Sequence, residues 1–220
     1  MREHISISGL LCLWLTSVVA FGTAPPSIPG LPGPLSWVNP PRSWKLDGKN
    51  GLTITSSPKT DWFVDPFDKT VNSSAPLLLF APGSDYVLSS RVTVKFVSKW
   101  DAGALMVFGD DHHWAKLSFE FSPDGKPTLV TVVTRGLSDD CNSMSVPGDS
   151  IYLRIAKSAA TYVFYFSTDG QEWQVLRTFS LDTQLPARVG FESQSPAGTG
   201  AVVTFAAITY EPRRIGNIYK

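Results

Sequence analysis

The chain has 220 residues, of which 43% are apolar and 17% charged, and its 19 basic side chains balance 19 acidic ones. This length suits one domain, and zero net charge excludes the basic surface that nucleic acid or an anionic membrane would need. Seven tryptophans and thirteen phenylalanines supply bulky side chains for a core.

The first 20 residues have the pattern of a secretory signal peptide. Arg2 provides a positive charge, residues 5–20 are mostly apolar, and Val18 and Ala20 occupy the −3 and −1 positions of a cleavage site. The apolar stretch falls short of the ~20 residues that cross a bilayer. We therefore expect residues 1–20 to be removed, which leaves a protein of the secretory pathway without a membrane attachment.

Two later residues are affected by that location. Asn72 begins the glycosylation sequon Asn-Ser-Ser, which fits a secreted protein. Cys12 is lost with the signal peptide, so Cys141 has no disulfide partner and is either a buried side chain or a free thiol.

The domain organisation follows from composition. Residues 21–34 are dominated by proline and glycine and predict a disordered leader. Residues 35–213 alternate short β-type runs with turn residues and predict a single domain, followed by a tail at 214–220.

Eleven segments have the composition of β-strands, and helical periodicity is almost absent. Two connections carry tight-turn signals, Asp124-Gly125 and Asp169-Gly170. Short strands separated by regular turns predict an all-β fold, a two-sheet antiparallel sandwich of the jelly-roll type, with a barrel as the alternative. The predicted strands are 51–56, 77–80, 86–98, 104–108, 114–121, 129–135, 151–156, 162–167, 173–179, 189–193 and 201–210.

The predicted strand at 114–121 is the most informative because two different sets of side chains alternate strictly along it. Leu117, Phe119 and Phe121 share one face, which is expected to pack in the core. The opposite face combines an aromatic ring, a cation, a hydroxyl and a carboxylate. A plain solvated strand rarely includes a tryptophan, so this face is predicted to touch a ligand. Its members are Trp114, Lys116, Ser118 and Glu120.

Five motifs in a fixed order resemble the concanavalin A-like family that includes the regulation-of-enolase protein: TDWFVDP, WDAGALMV, DDHHWAKLSFE, VTVVTRGLSDDCNS and YFSTDGQEW. The resemblance covers residues 36–211 and implies a concanavalin A-like jelly roll. Yeast-type members of that family lack a secretory leader. By size, leader, sequon and β-rich pattern, the chain also resembles the fungal hetero-Diels–Alderases of tropolone–sesquiterpenoid biosynthesis.

The fold that this resemblance implies binds ligands on a concave sheet face. Lys116 and Arg135 are the candidate catalytic donors, and the segments around Trp62 and Arg135 are expected at the rim. The alternatives are a structural ion pair between Lys116 and Glu120 and a structural role for Trp62. The candidate ligand-binding residues are Trp62, Asp65, Asp101, Trp114, Ser118, Glu120 and Thr134.

Other chemistries have weaker signals. The run Asp110–His113 suggests a metal cluster, but neighbouring strand residues point to opposite faces, so a solvated hairpin loop is predicted. Asp139, Asp140 and Asn142 offer oxygen atoms to calcium without the register of a calcium loop. Neither a glycosidase carboxylate pair nor a Ser-His-Asp triad is indicated. We predict no metal and no cofactor.

Three functions fit these observations. The first is a cofactor-free cyclase of the hetero-Diels–Alderase type, which would hold an apolar polyketide or terpenoid substrate in register while Lys116 or Arg135 donates to a carbonyl. The second is a carbohydrate-binding module whose tryptophans stack on a glycan, and the third is a regulatory protein. We expect the first. An exposed row of tryptophans would favour the glycan, and an enclosed cavity with one or two cations would favour the apolar ligand.

Overall fold

The computed structural model describes residues 25–48, 50–183 and 185–219, and every regular element among them is a β-strand. The predicted strand at 114–121 is found as β9, and the one at 86–98 ends at residue 95 as β7. In chain order the strands are β1 (Ser36–Val38), β2 (Ser43–Asp47), β3 (Gly51–Thr55), β4 (Trp62–Val64), β5 (Val71–Ser73), β6 (Leu77–Phe80), β7 (Tyr86–Lys95), β8 (Ala102–Asp110), β9 (His113–Phe121), β10 (Pro127–Arg135), β11 (Leu137–Ser145), β12 (Ser150–Ser158), β13 (Thr161–Ser167), β14 (Gln174–Ser180), β15 (Arg188–Gln194) and β16 (Val202–Glu211).

Two seven-stranded antiparallel sheets face each other. Sheet A has the order β1-β6-β15-β8-β9-β10-β11, and sheet B has the order β14-β13-β12-β7-β16-β3-β2. Strands β8, β9 and β10 follow one another as hairpins, whereas β15 returns late in the chain to pair with β8 and β6. The prediction of an all-β, two-sheet antiparallel sandwich is therefore confirmed.

The main apolar core lies between the inner faces of the two sheets. Leu117 and Phe119 of β9 are fully buried in it, as the alternation predicts. Phe191 of β15 and Phe205 of β16 bring their ring centroids within 5.0 Å. A fully buried leucine or phenylalanine side chain contributes about 1.5–3 kcal/mol, so this layer fixes which residues of β9 point outward.

A short hairpin covers part of the outer face of sheet A. Strands β4 and β5 pair with each other, and Trp62 of β4 enters a second apolar cluster on that face. The Trp62 indole N–H donates a 2.8 Å hydrogen bond to the Ala75 carbonyl. Its ring makes edge contacts with Phe108 at 5.3 Å and Trp114 at 6.2 Å. Most residues of the central strands of sheet A are consequently buried on both faces.

Both Asp-Gly turns form as predicted. Gly125, between β9 and β10, has φ = 78°, and its N–H donates to the Ser122 carbonyl at 3.0 Å. Gly170, between β13 and β14, has φ = 77°, and its N–H donates to Ser167 Oγ at 2.9 Å. Glycine adopts this left-handed conformation without a Cβ clash, so the two hairpins are set locally.

The segments that flank the sandwich pack onto it. Ile28 is buried in the core and Leu31 packs against it, so residues 25–34 of the leader are anchored by apolar side chains rather than disordered. In the tail, Ile215 and Ile218 pack on an apolar cluster of sheet B. The predicted signal peptide, residues 1–20, lies outside the described residues. The described part of the chain contains no helix long and apolar enough to cross a membrane.

Strand β11 was not expected from the sequence. Its residues, LSDDCNSMS, have the composition of a loop, yet they pair along the whole of β10. Thr134 lies opposite Ser138, Val132 opposite Asp140, and a register shift follows at Leu129/Val130. The polar side chains of this segment therefore project from a sheet and have defined directions.

Candidate functional site

A pocket of about 330 Å³ opens on the outer face of sheet A. This volume is at the lower end of the ~300–1,000 Å³ that small-molecule sites occupy. Phe63, Trp100, Val130 and Val132 form part of its apolar lining. Its polar lining consists of Asp61, Lys116, Glu120, Asp140, Asn142 and Gln194.

The register of sheet A explains how these residues meet. Opposite residues of antiparallel strands share a face. One row across the sheet therefore places Gln194, Ala102 and Glu120 side by side. The row beyond that of Ser118 on the same face places Lys116, Val132 and Asp140 together. Alanine at 102 leaves room above the strand, so the longer side chains around it enclose a depression. Strict alternation in β9 thus directs Lys116 and Glu120 into the pocket.

Lys116 is a buried residue whose ammonium bonds to several other polar groups. Its side chain is 3% exposed. Its ammonium donates to Gln194 Oε1 at 2.6 Å, to the Trp62 carbonyl at 2.7 Å and to Asp61 Oδ1 at 3.2 Å. These three bonds use all three protons of a lysine ammonium. Lys116 therefore joins β9, β15 and the start of the β4–β5 hairpin, and it has no proton left for a carbonyl of a bound molecule.

A second carboxyl group lies close to this ammonium. Glu192 Oε1 is 3.6 Å from Lys116 Nζ, and the Glu192 side chain is fully buried without a hydrogen bond. Burial opposes the charge of Lys116, but the carboxylates of Glu192, Asp61 and Glu120 outweigh that effect and raise the pKa of Lys116 above its ordinary value. Burial raises the pKa of Glu192 to about 7, although Lys116 acts in the opposite direction.

Glu120 faces the pocket with its carboxyl group uncompensated. It is 7% exposed, and no hydrogen bond to its carboxyl is found among the described residues. Burial raises the pKa of Glu120 to about 8; the Lys116 ammonium lowers it, and the carboxyls of Asp61 and Asp140 raise it further. Burial also raises the pKa of Asp140. The alternative of a structural ion pair between Lys116 and Glu120 is not found, and Lys116 pairs with Asp61 and Glu192 instead.

Of the four outward residues of β9, two line the pocket and two lie under other groups. Ser118, between Lys116 and Glu120 on the same face, is fully buried and its hydroxyl has no hydrogen bond. Trp114 is fully buried in the cluster beneath the hairpin, together with Trp62. Neither tryptophan offers an exposed ring, so both act in packing the hairpin on sheet A.

The candidate aspartates fix backbone turns. Asp101 is fully buried, and it accepts hydrogen bonds from the Ser98 N–H at 2.8 Å and from Ser195 Oγ at 2.6 Å. Asp65 Oδ1 accepts the Phe67 N–H at 2.7 Å in the turn between β4 and β5. These contacts shape the loops that surround the pocket, and the structure places neither carboxyl in its lining.

The last two candidates lie where β10 meets β11. Thr134 Oγ1 is 2.8 Å from Ser138 Oγ, which accepts the Val64 N–H at 2.9 Å and so ties the hairpin to sheet A. Arg135 is exposed and donates to the Ser180 carbonyl at 2.6 Å. The structure therefore does not bring Arg135 together with Lys116. Cys141 is exposed with a free thiol.

Several pocket residues were not singled out from the sequence. Asp61 and Trp100 lie within polar or aromatic motifs that the sequence displays. Asp140 and Asn142 are named there only as oxygen ligands for calcium, and alternation in β11 brings both to the pocket. For Gln194 and Glu192 the sequence offers one indication. They alternate with Phe191 and Ser193 along β15, so they share the face opposite to Phe191. Among the described residues, no three His, Cys, Asp or Glu side chains group as a metal site.

The fold and the pocket define a jelly-roll β-sandwich with a polar cavity on the outer face of one sheet. The chain belongs to the DUF1349 family, described as a protein of unknown function, which matches residues 37–213. No curated protein matches the chain.

Solved structures of three kinds share this fold. A functionally unknown protein from Saccharomyces cerevisiae superposes with a TM-score of 0.75 at 27% identity, covering 80% of this chain and 95% of that one. The GH43 protein BlXynB from Bacillus licheniformis gives a TM-score of 0.64 at 14% identity, with 81% of this chain covering 37% of that one. The carbohydrate-binding module CBM66 from Bacillus subtilis gives 0.51 at 16% identity, covering 80% and 94%. This chain thus spans about a third of BlXynB and nearly all of the other two.

Proposed function

We propose that this protein binds a glycan in the pocket of sheet A and that it does so without catalysis. The observation that carries this proposal is the lining of the pocket, in which carboxyl and amide groups converge beside an accessible tryptophan ring. Small-molecule sites combine apolar surface with a few placed polar groups. Here Asp61, Glu120, Asp140 and Asn142 supply oxygen acceptors for sugar hydroxyls, and Asn142 also supplies amide donors.

Trp100 is the residue that we assign to sugar stacking. Its side chain is 41% exposed and lines the pocket. Its backbone is fixed, because its N–H donates to the Phe121 carbonyl at 2.7 Å and its carbonyl accepts from Gln194 Nε2 at 3.1 Å. The face of an indole ring is electron-rich, so it attracts the polarised C–H bonds of a pyranose. The bond from Lys116 to Gln194 holds this arrangement in place.

The comparisons support a glycan in general terms. The chain shares its fold with a protein described as a carbohydrate-binding module, and with part of a GH43 protein. At these identities the likeness concerns the fold alone, so the choice of ligand rests on the pocket.

Two observations favour an apolar ligand: the described tryptophans form no exposed row, and the pocket contains the cation Lys116. The acidic lining and the lack of a free donor nevertheless support a glycan better than an apolar polyketide or terpenoid. A Diels–Alder substrate would need a free donor beside an apolar cavity. All three protons of the Lys116 ammonium are donated to acceptors within the protein, and Arg135 donates to the Ser180 carbonyl away from the cavity. An apolar ligand would also bury Glu120 and Asp140 without hydrogen-bond partners, which is unfavourable.

The test is a titration of the purified protein with a panel of soluble oligosaccharides, followed by calorimetry and tryptophan fluorescence. Trp100→Ala is expected to weaken binding at least about tenfold, as truncation of an interfacial tryptophan does. Trp173→Ala, on sheet B, is the matched control and should bind as the wild type does. Absence of binding across the panel, or unchanged affinity of Trp100→Ala, would contradict the proposal.

We also propose that the protein enters the secretory pathway and is glycosylated at Asn72. The Asn72 side chain is exposed on β5, which makes the sequon accessible. Expression in a secreting eukaryotic host should yield a protein whose mass falls after endoglycosidase treatment. The same mass in Asn72→Gln before treatment would contradict the assignment.

A further inference from the structure

We infer that the glycan is an oligosaccharide of an amino sugar whose nitrogen is unsubstituted, bound with its ammonium group against Glu120. This inference rests on the proposed glycan site and adds the charge of the ligand. Among the described residues that line the pocket, Glu120 is a buried carboxyl group without a hydrogen-bond partner, and an ammonium is the group on a sugar that would supply one.

The position of Glu120 is the first observation. Its side chain is more than nine-tenths buried, it lines the pocket, and no group of the described protein hydrogen-bonds its carboxyl. Buried polar groups in native proteins are almost always paired, and an unpaired one calls for an explanation. A ligand that donates to Glu120 supplies the missing bond.

The charge balance around Glu120 is the second observation. Carboxyl groups face it from the segment before β4 (Asp61), from β11 (Asp140) and from β15 (Glu192). Within the described part of the chain, the cation that acts on it is Lys116 on its own strand, and Lys116 already pairs with Asp61 and Glu192. Next to Asp140 on β11, Asp139 pairs with Arg177 of β14 at 3.0 Å, and Arg177 also acts to lower the pKa of Asp140. The pocket therefore has more acidic groups than cations to match them.

In the free protein, buried carboxyl groups that hold a proton reduce the excess of negative charge in the pocket. Burial raises the pKa of Glu120 to about 8, so its carboxyl is mostly protonated at neutral pH. An ammonium that enters the pocket favours the carboxylate and displaces that proton. The described carboxyls do not group as a metal site, and an ammonium needs fewer acceptors than a metal ion does.

A matched series of ligands tests the inference because its members differ only at C2. Oligomers of glucosamine, N-acetylglucosamine and glucose share the β-1,4-linked backbone. We expect the glucosamine oligomer to bind at least about tenfold more tightly than the other two, the difference between a charge-assisted and a neutral hydrogen bond. Near pH 6, calorimetry in buffers of different ionisation enthalpy should show release of about one proton per glucosamine oligomer.

Glu120→Gln separates the charge of the ligand from the rest of the site. The variant keeps the shape of the side chain, so we expect it to lose the tenfold preference and the proton release while it still binds the glucose oligomer. Glu172→Gln, in the exposed β13–β14 turn, should retain both. Equal affinity for the three oligomers would overturn the inference and leave the glycan site standing. No binding of any oligosaccharide would overturn both this inference and the proposed glycan site. If butylammonium alone bound as tightly as the glucosamine oligomer, the assignment of the ligand as a sugar would be overturned.

Discussion

The outer faces of the two sheets differ in character although both sheets have seven antiparallel strands. On sheet A, the hairpin and the surrounding loops remove Lys116 and Glu192 almost entirely from water. On sheet B, Arg91 and Lys95 of β7 remain exposed. The same types of side chain are thus solvated on one face and form a buried charged cluster on the other.

The covering layer, more than the strands beneath it, creates the site on sheet A. Transfer of charges out of water is unfavourable unless partners compensate for it. On sheet A, the Lys116 ammonium finds three acceptors, whereas neither carboxyl oxygen of buried Glu192 has a hydrogen bond. Buried groups with shifted pKa values often mark functional sites, and here they coincide with the pocket.

The largest expected effect is that of removing the cation from the covered face. Lys116→Met leaves Asp61, Gln194 and Glu192 without their buried partner, so we expect a loss of about 3–5 kcal/mol in the free energy of unfolding. Lys95→Met, the same change on the exposed face of sheet B, should alter it by no more than about 0.5 kcal/mol. Urea denaturation measures both. Similar losses in the two variants would show that the faces do not differ as described.

A smaller effect concerns the pH dependence of stability. The pKa of Glu120 is about 8 in the folded protein and 4.5 in its unperturbed state, so the folded state binds this proton more tightly. The stability that it contributes is complete below pH 4.5 and is lost as pH rises through 8. Glu192, with a pKa of about 7, acts in the same direction.

Glu120→Gln should therefore flatten the fall in melting temperature between pH 4.5 and 8. In terms of unfolding free energy, the loss of stability across this range should be smaller than that of the wild type by an amount on the order of a few kcal/mol. Scanning calorimetry across this range provides the measurement. Glu172→Gln should reproduce the wild-type slope. A variant of Glu120 with the wild-type slope would mean that this carboxyl is solvated.

The smallest expected effect lies on the outer face of sheet B. The Arg154 guanidinium stacks on Trp173 at 3.5 Å from the ring centroid. Because this site is only half-buried, Arg154→Met should cost about 0.5–1 kcal/mol, measured by the same urea denaturation. A loss as large as that of Lys116→Met would remove the distinction between the two faces.

The sequence is sufficient to predict the layer structure and the outward face of β9. Alternation of Leu117 and Phe119 with Lys116 and Glu120 is a local property with a period of two residues. The Asp-Gly turns are local as well, since the left-handed glycine at Gly125 needs only its neighbours. These features depend on contacts within one hairpin, and they were predicted correctly.

Other features depend on which strands become neighbours. Gln194 and Glu192 reach Lys116 because β15 inserts between β6 and β8, and composition carries no information about that order. Trp62 and Trp114 were expected to touch a ligand, but the hairpin folds back and buries both rings. Arg135 was expected near Lys116, but it lies three residues further along the β9–β10 register, opposite His113. The polar run of β11 resembles a loop until β10 pairs with it.

Strand β11 has one more consequence, because it forms one of the two edges of sheet A in the described structure. An open sheet edge presents unpaired backbone groups to any extended chain and invites intermolecular strand addition. The aspartates of β11 and the register shift beside it oppose such addition. The polar residues of β11 that line the pocket are thus of the kind that opposes strand addition, and we expect their replacement by apolar residues to make this edge more prone to aggregation.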